Sequence, residues 1–304
     1  MSCDVYPFKV GEFYGVVSLL GEVVVKPRYH ILTEFNESLA TAMRRDFTNC
    51  IVDSVGNEQC IDCDVEYLGE VSCGRMFAQN AEYLTGFLDT TGKLVVPFEY
   101  NYSSSFAFGL AAVGKNRKWG VIDVDGNLVV DCQYGRLSAF NEYGCIGAKT
   151  LDSGWFHLDL NCQMNLIEDV DFVCEPLDGY CALIGAYGMK LLQIKGMNRS
   201  EPLPFIEYGG YSSGLFCLKD RQGWSFVDKN WRRVLGRFYG ARKFMSDLAP
   251  VATFDTRKWG AINTKGEWVI PPEYEGVEHI DNKVLVAWKG DESKLFRIDG
   301  TTVI

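Results

Sequence analysis

The 304-residue sequence is that of an acidic protein, with 40 Asp and Glu residues against 30 Lys and Arg residues and a net charge of −10. This balance argues against partners such as nucleic acid or anionic membranes, which are bound by Lys and Arg at phosphates, and it favours a partner with a basic face. No apolar run approaches the ~20 residues that cross a bilayer, and the first residues do not resemble a signal peptide, so we expect a cytoplasmic protein.

One sequence unit recurs along the whole chain. The copies align on nine positions, with a mean spacing of 35 residues between Gly15 and Gly260: Gly15, Cys50, Gly86, Gly120, Phe156, Gly188, Ser225, Gly260 and Phe296. A fixed period of this length is typical of solenoids, propellers and other arrays. We therefore predict a single repeat domain, 1–304, with units at about 1–35, 36–72, 73–106, 107–140, 141–175, 176–211, 212–246, 247–281 and 282–304.

Each unit predicts three strands in the same order. An alternating strand such as Gly109–Lys115 leads through a tight turn into a second strand such as Lys118–Asp123. A turn with Asp or Asn first and Gly last follows, as in Asp123–Gly126, because the acidic or amide side chain caps the turn and Gly accepts a positive φ. The third strand, such as Gly266–Pro271, is predicted to end at its proline, and a tail ends in Tyr.

The predicted fold class is therefore all-β, a tandem array of about nine antiparallel meanders. We prefer an open β-solenoid or superhelix, because nine units exceed the roughly four to eight blades of most propellers. A propeller-like ring is the alternative.

Several units carry a family signature. The segments Lys118–Val130 and Lys258–Tyr274 begin with Lys-Trp-Gly, and Phe13–Tyr29 and Thr85–Tyr100 follow the same pattern with the Trp replaced. The chain resembles the WG-repeat proteins, bacterial tandem repeats named for this Trp-Gly pair. The resemblance implies a repeat architecture and, only weakly, a binding or scaffold role. It fades in the central units, 141–246.

The signature residues are expected to be structural. A Trp covers neighbouring strands with a large apolar area, and the Gly beside it leaves room for a neighbouring ring or backbone. The positions assigned to this role are Gly15, Trp119, Gly120, Trp224, Trp259 and Gly260.

The sequence contains no recognisable catalytic motif. Its three histidines, His30, His157 and His279, fall at unrelated positions in their units, and we expect each at the surface or in a turn. Cys60 and Cys63 form a CxxC pair, but a structural zinc site usually needs a second pair. We predict no catalytic residues, no metal, no cofactor and no enzymatic activity, and we expect most of the 11 cysteines to be core thiols.

The strongest departure from the repeat is Lys229–Phe244. It holds six basic residues and no acidic one, together with Trp231, Phe238 and Tyr239, whereas the whole chain is acidic. It is either an ordinary solvated strand face or a contact site for an acidic partner, since Trp, Tyr and Arg are enriched at interface hot spots. The candidate contact residues are Trp231, Arg232, Arg233, Arg237, Tyr239 and Arg242. Leu151–Lys219, where the repeat degenerates, is a second candidate surface.

Three functions remain open from the sequence. The leading hypothesis is a non-enzymatic scaffold that binds another protein over an extended surface, for example as a neutraliser or adaptor of a bacterial toxin or secreted effector. The alternative is a glycan or cell-wall binding module that uses exposed aromatic rings. A further alternative is an enzyme, or a small-molecule binder, with its site in a central channel.

Overall fold

The computed structural model describes residues 5–61, 65–151, 153–185 and 188–303. In these ranges all regular structure is β-strand, and no helix is long and apolar enough to cross a membrane. The chain divides into two compact units, one made of Met1–Phe8 with Glu12–Glu175 and the other of Lys9–Gly11 with Pro176–Ile304. The all-β class and the tandem hairpins predicted from the sequence are confirmed.

The strands of the first unit follow one another along the chain. They are β1 (Val5–Val10), β2 (Phe13–Ser18), β3 (Val23–Leu32), β4 (Leu39–Arg44), β5 (Asn49–Asp53), β6 (Glu58–Cys60), β7 (Tyr67–Ser72), β8 (Arg75–Gln79), β9 (Thr85–Asp89), β10 (Leu94–Tyr100), β11 (Tyr102–Ser103), β12 (Leu110–Lys115), β13 (Lys118–Asp123), β14 (Leu128–Tyr134), β15 (Arg136–Leu137), β16 (Cys145–Ala148), β17 (Trp155–Leu158), β18 (Met164–Leu166) and β19 (Phe172–Val173).

The second unit continues the same pattern. Its strands are β20 (Tyr180–Gly185), β21 (Gly188–Gln193), β22 (Asn198–Arg199), β23 (Glu207–Ser212), β24 (Leu215–Asp220), β25 (Gly223–Val227), β26 (Arg233–Phe238), β27 (Gly240–Ala241), β28 (Leu248–Ala252), β29 (Trp259–Asn263), β30 (Trp268–Tyr274), β31 (Gly276–His279), β32 (Val284–Lys289) and β33 (Glu292–Arg297).

Most sheets are meanders of four sequential antiparallel strands. The orders are β7 to β10, β11 to β14, β15 to β18, β23 to β26 and β27 to β30, and β31 to β33 form a three-stranded version. Four sequential strands are the blade of a β-propeller. The sheets therefore do not support the preferred open β-solenoid. They fit the alternative prediction, a propeller-like ring.

The first sheet joins two repeat units through one long strand. It has six strands in the order β1 to β6, and Tyr29 in β3 is paired both with Tyr14 in β2 and with Arg44 in β4. Further along the chain the same path is divided between β10, which ends one sheet, and β11, which begins the next. The nine aligned positions consequently lie on nine separate strands: β2, β5, β9, β13, β17, β21, β25, β29 and β33.

The alignment is two residues out of register in two units. Lys115 pairs with Lys118 across a two-residue turn, and the equivalent pairs are Gly185 with Gly188 and Lys289 with Glu292. Counting from these turns, the equivalents of Gly120 are Lys190 and Lys294, not Gly188 and Phe296. A shift of two residues keeps the same face of a strand, which is why the hydrophobic pattern alone did not reveal the error.

The glycine of the Trp-Gly pair faces a bulge in the next strand. Between the pairs Trp119–Tyr134 and Val121–Val130, Gly120 alone opposes three residues of β14. A Cβ on Gly120 would lie 2.5 Å from the Val130 carbonyl oxygen. The same bulge and the same close carbonyl occur in three other units, at Gly15, Gly86 and Gly260. The sequence predicted that this glycine leaves room for either a neighbouring ring or backbone. At these four positions the close neighbours include backbone.

The bulge also corrects the expected end of the third strand. Strand β10 does not stop at Pro97 but continues to Tyr100, and the register changes between Val96 and Tyr100. A bulge residue gives no ladder hydrogen bond, so proline is tolerated there. The prediction that the strand ends at proline is wrong for this reason.

The signature tryptophans lie at the edge of the core and are half-buried. Trp119, Trp224 and Trp259 each pack against a cluster of buried apolar residues. A Cβ on Gly240 would lie 2.6 Å from the Trp259 ring, and one on Gly209 would lie 2.8 Å from the Trp224 ring. These rings therefore cover glycines in the first strand of their own sheet.

The turns that begin with Asp form as predicted. The Asp123 Oδ1 atom accepts hydrogen bonds from the backbone N–H groups of Asp125 (3.0 Å) and Asn127 (2.9 Å), and Gly126 has a φ of 86°. The Asn127 side chain and these N–H groups lower the pKa of Asp123. The turn therefore carries a capping carboxylate that is stabilised in its charged form.

Candidate protein-contact surface

The basic segment Lys229–Phe244 is divided between two sheets. Its first part forms the turn before β26 and then β26, which pairs with β25 and is the last strand of its sheet. Its second part enters the following sheet, where the backbone N–H groups of Tyr239 and Arg242 donate to the carbonyls of Ala252 and Pro250, each at 2.9 Å. The six candidate contact residues therefore do not form one cluster.

Three of the six basic side chains in this segment are engaged by carboxylates. The ion pairs are Arg233–Asp220 (2.8 Å), Arg242–Glu278 (3.1 Å) and Lys243–Asp178 (2.5 Å). Arg232 and Arg237 are exposed and make no ion pair with any residue that the structure describes. An acidic partner can reach these two arginines, and exposed Lys229, without breaking any of the three ion pairs.

Tyr239 belongs to a separate aromatic group. It is 45% exposed, its ring lies 6.2 Å edge-on from Phe254, and the Arg257 guanidinium lies 5.0 Å from its centre. Arg242 lies 5.3 Å from the Trp259 ring centre. Tyr239 and Arg242 thus pack with the sheet β27 to β30, apart from the turn that carries Trp231.

Trp231 occupies the turn position that six other units give to glycine, at Gly21, Gly56, Gly92, Gly126, Gly266 and Gly300. Asp228 caps this turn as Asp123 caps its own, and the Trp231 N–H donates to the Asp228 carbonyl at 3.0 Å. Trp231 has a φ of 62°, where Gly126 has 86°. A side chain in this left-handed region costs about 1–2 kcal/mol. The Trp231 side chain is also only partly buried, with 38% of its surface exposed, so burial does not fully offset this cost.

The backbone conformation alone does not mark a site. Phe47, Tyr83 and Phe108 also have positive φ values and lie in other exposed turns. Trp231 is singled out by a second observation, an open cavity of about 280 Å³ that its ring helps to line. The lining residues, all in the second unit, are Tyr180, Leu191, Gln193, Asn198, Arg199, Ser200, Phe216, Lys229 and Trp231.

The floor of this cavity is aromatic and apolar. Phe216 and Leu191 are buried. The Phe216 ring is stacked against Trp231 at 5.2 Å with an interplanar angle of 28°, and Tyr180 meets Phe216 edge-on at 5.2 Å. Offset and edge-on arrangements of this kind are the favoured geometries of aromatic pairs. The rings therefore hold one another in place around an opening.

The rim of the cavity is polar and positively charged. Gln193, Asn198, Arg199 and Lys229 are exposed, and the Lys229 ammonium lies 6.0 Å from the ring centre of Tyr211. Each of these four side chains offers hydrogen-bond donors. The rim is thus built to receive acceptors, above all carboxylates.

Two acid-free segments of an acidic chain meet at this cavity. Residues 179–200 contain Lys190, Lys195 and Arg199 and no Asp or Glu, and Lys229–Phe244 contains six basic residues and no acid. Both contribute to the lining. The first segment lies within Leu151–Lys219, the second candidate surface from the sequence, but its lack of acids was missed although it was visible there.

The three histidines lie in different surroundings, and two of them contact a backbone carbonyl. His157 is buried, with its Nε2 2.5 Å from the Tyr143 carbonyl, so the expectation of a surface or turn position is wrong for this residue. His279 Nε2 lies 3.2 Å from the Leu248 carbonyl, and burial lowers its pKa. The His30 ring packs between Phe13 (5.0 Å) and Phe47 (5.8 Å). His157 lies in β17, which is paired on both sides, by β16 and by β18.

The metal-ligating residue types are scattered in the described ranges. No group of three or more His, Cys, Asp or Glu side chains there could hold a metal. Cys63 of the CxxC pair lies outside those residues, and Cys60 is exposed opposite buried Cys50. Burial raises the pKa of Cys50 and of Cys217 to about 12, which keeps both thiols protonated.

The most buried charged cluster serves the repeat itself. The Glu58 carboxylate is 7% exposed, pairs with Arg28 (2.9 Å) and Arg44, and accepts a hydrogen bond from the Tyr29 hydroxyl at 2.7 Å. Burial, followed by the bond to Glu58, raises the pKa of Tyr29 to about 12. The tail tyrosine of this unit is thereby tied to the outer strand of the next unit, which is a structural role.

Comparison with solved structures shows similarity of fold. A computationally designed protein, Ika8, is 11% identical, with a TM-score of 0.51 over 89% of this chain and 96% of that one. Dihydro-heme d1 dehydrogenase NirN, solved in complex with DHE, is 15% identical, with a TM-score of 0.51 over 97% of this chain and 71% of that one. No curated protein matches the chain. At these identities the likeness concerns the fold and carries no activity across.

A family model described as the WG containing repeat matches four stretches of the chain. The matched residues are 14–46, 86–119, 119–155 and 259–288. They include the bulge glycines Gly15, Gly86, Gly120 and Gly260. Four stretches of the chain thus carry the WG containing repeat, which confirms the resemblance found in the sequence.

Proposed function

We propose that this protein is a non-enzymatic β-repeat scaffold that binds an acidic surface of another protein through the turn Asp228–Arg232 and the edge strand β26. The observation that carries the proposal is Trp231, an exposed tryptophan at a strained turn position beside a cavity. Strain that persists in a folded protein points to a function that uses the strained residue. Exposed Arg232 and Arg237 supply the charge complementary to an acidic partner.

Neutralisation of a toxin or effector, or recruitment of one, is a concrete form of this function. The partner's contact surface would be acidic, although the scaffold as a whole is acidic too. Complementary local charges at such a surface mainly raise the rate of association and select the partner. Binding should accordingly weaken as salt screens the exposed charges.

The glycan-binding alternative receives less support. Exposed tryptophans at equivalent positions would favour it, but Trp119, Trp224 and Trp259 are half-buried. Trp119 stacks on Tyr102 at 5.8 Å, and Arg242 lies over Trp259. Rings that are already covered on one face offer little area for stacking a sugar.

The enzymatic alternative receives less support as well. His157 and His279 each direct Nε2 at a backbone carbonyl. A general base has to lie within hydrogen-bond reach of the proton that it abstracts. These imidazoles are oriented by the fold towards turns, which favours a structural role for them.

The test is capture of a partner from the native host with matched variants. The wild type should retain one or more proteins at low salt, and Trp231→Gly and the pair Arg232→Glu, Arg237→Glu should lose them. The pair Lys26→Glu, Lys93→Glu is the control, because both lysines are exposed in the first unit and the charge change is the same. Equal capture by all four proteins, or no capture by any, would overturn the proposal.

The Trp231→Gly variant should remain folded. Relief of about 1–2 kcal/mol of backbone strain offsets the lost contact with Phe216, so we expect its stability within about 1 kcal/mol of the wild type. Thermal unfolding of both proteins checks this before any capture experiment. Loss of capture then reports on binding.

We further infer that the sheets are the blades of a β-propeller. Their four-stranded meanders support this, as does a hydrogen bond inside the second unit, where the Lys9 N–H donates to the Ser293 Oγ at 3.4 Å. A compact chain of this length has a radius of gyration of about 19 Å. Small-angle X-ray scattering that gives a clearly larger value would favour the open stack.

A further inference from the structure

We propose that the cavity beside Trp231 is an anchor pocket for one aromatic side chain of a partner segment in which acidic residues flank that anchor. This rests on the proposed function and goes beyond it, because it names the chemistry that the surface selects. The partner segment is a peptide with the pattern acid–aromatic–acid.

The size of the cavity limits what it can take. Its volume is about 280 Å³, whereas pockets for drug-sized ligands and cofactors usually span about 300–1,000 Å³. The volume of this cavity is therefore at the lower limit for binding a free small molecule. A single large side chain, carried on a chain that makes further contacts outside the cavity, suits it better.

The floor of the cavity selects an aromatic occupant. Phe216, Tyr180 and Trp231 all line the same cavity, and Phe216 packs against both of the other rings. Aromatic pairs gain energy beyond the apolar area that they bury. Buried aromatic anchors surrounded by contacts that exclude water are the usual form of an interface hot spot.

The rim selects the residues beside the anchor. Arg199 and Lys229 carry positive charge, and the Gln193 and Asn198 amides add neutral donors. Carboxylates on either side of an inserted ring would meet these groups, and a charge-assisted hydrogen bond is about twice as strong as a neutral one. Flanking lysines would instead meet like charge, so the rim discriminates against a basic segment.

The strain at Trp231 fits this role. With a glycine at that position, as in the turn Asp123–Gly126, this wall of the cavity would be missing. Three hydrogen bonds fix the turn on Asp228: the Asn230 and Arg232 N–H groups donate to its carboxylate, and the Trp231 N–H donates to its carbonyl. A rigid aromatic wall loses little entropy when an anchor binds, which preserves affinity.

The experiment uses the full chain labelled with 5-fluorotryptophan. The protein has seven tryptophans, and the fluorine line absent from Trp231→Gly identifies Trp231. The probes are three capped pentapeptides: Asp-Glu-Phe-Glu-Asp, the same peptide with Ala for Phe, and Lys-Lys-Phe-Lys-Lys. Addition of the first should shift the Trp231 line in a saturable way, with an affinity at least tenfold higher than that of either other peptide.

Each other outcome has a defined meaning. Equal shifts with the Ala peptide would overturn the aromatic anchor, while acidic recognition, and hence the proposed function, would stand. Equal shifts with the lysine peptide would overturn the acidic flanks. No shift with any peptide, combined with capture that still depends on Arg232 and Arg237, would overturn the pocket and leave the proposed function in place.

A variant pair confirms the charge requirement. Lys229→Glu with Arg199→Glu should reverse the preference, so that the lysine peptide binds better than the acidic one. Both side chains are exposed, so the fold should tolerate the change. An unchanged order of affinities would contradict the assignment of the rim.

Discussion

In the sheet β11 to β14 the residue after the tryptophan is Gly120, and in the sheet β23 to β26 it is Ser225. Gly120 opposes three residues of the outer strand, because the pairs on either side are Trp119–Tyr134 and Val121–Val130. Ser225 opposes only two, because the flanking pairs are Trp224–Phe238 and Phe226–Leu235. The second sheet thus has a bulge that is one residue shorter.

In the sheet with the shorter bulge, the glycine lies in the outer strand β26 and not in the strand that carries the tryptophan. Gly236 lies in that bulge with a φ of 102°, and a Cβ on it would lie 3.1 Å from the Ser225 Cα. At Gly120 the crowding comes instead from the carbonyl of Val130. A third arrangement occurs at Phe156, where β17 pairs with β18 without any register shift and a large side chain is accepted. The two sheets with a bulge therefore share a close approach of the two strands and place the glycine that permits it on different strands.

The largest expected effect is at Gly120. Gly120→Ala places a Cβ against backbone atoms of Val130, Asp131 and Cys132, which cannot rotate away, and overpacking of this kind costs about 1–3 kcal/mol. We expect the upper end of that range in denaturant unfolding. Gly109→Ala is the control, since it has a φ of 80° but open space around it, and should cost about 1 kcal/mol. Equal costs would show that crowding by β14 is unimportant.

A smaller loss is expected at the displaced glycine. Gly236→Ala combines the left-handed backbone with a contact at 2.9 Å to the Phe238 ring, so we expect a cost of about 1–2 kcal/mol. Gly214→Ala, with a φ of 78° and nothing within 4 Å, isolates the backbone contribution. If the two variants unfold at the same denaturant concentration, the shorter bulge does not depend on Gly236.

The opposite sign is expected at Ser225. Its side chain is buried, and its Oγ has no hydrogen-bond partner among the residues that the structure describes. A buried polar group without a partner costs about 1–3 kcal/mol, so Ser225→Ala should raise the free energy of unfolding by about 1 kcal/mol. The same alanine thus destabilises one sheet and stabilises the other. Destabilisation at both sites would remove the distinction between the two bulges.

The comparison also explains what could be predicted from the sequence. The phase of the repeat, the strands and the turns at Asp53, Asp89 and Asp123 depend on residues close together in the chain, so local patterns identify them. The bulge depends on which residue of the outer strand opposes Gly120, which is a property of pairing. A pattern of alternating residues does not reveal two extra residues in one strand, and the expected end at Pro97 failed for that reason.

The candidate site shows the same limit. Sequence composition identified Trp231 and the basic residues around it, because they stand out within one segment. It did not identify Tyr180 and Phe216, because Phe216 meets Trp231 through strand pairing within one sheet and Tyr180 comes from a strand of another sheet. One further signal was visible in the sequence: the turn Asp228–Trp231 has a tryptophan where the equivalent turn Asp123–Gly126 has a glycine.

The smallest expected effect concerns acid sensitivity of the turns in the consensus sheets. Hydrogen bonds from the Thr91 and Asn127 side chains and from backbone N–H groups lower the pKa of Asp89 and Asp123 below the value of about 3.9 for an unfolded chain. A carboxyl group with a lowered folded pKa stabilises the fold above its unfolded pKa, and that contribution is lost as the pH falls through its folded pKa. Asn263 caps the equivalent turn without titrating in this range.

Asp89→Asn with Asp123→Asn should therefore lose less stability than the wild type between about pH 5 and pH 2.5, while the two proteins differ little at pH 7. The change is small because both carboxylates are exposed, and urea unfolding across this pH range measures it. A steeper acid loss in the variant would mean that these aspartates are not the capping groups that titrate.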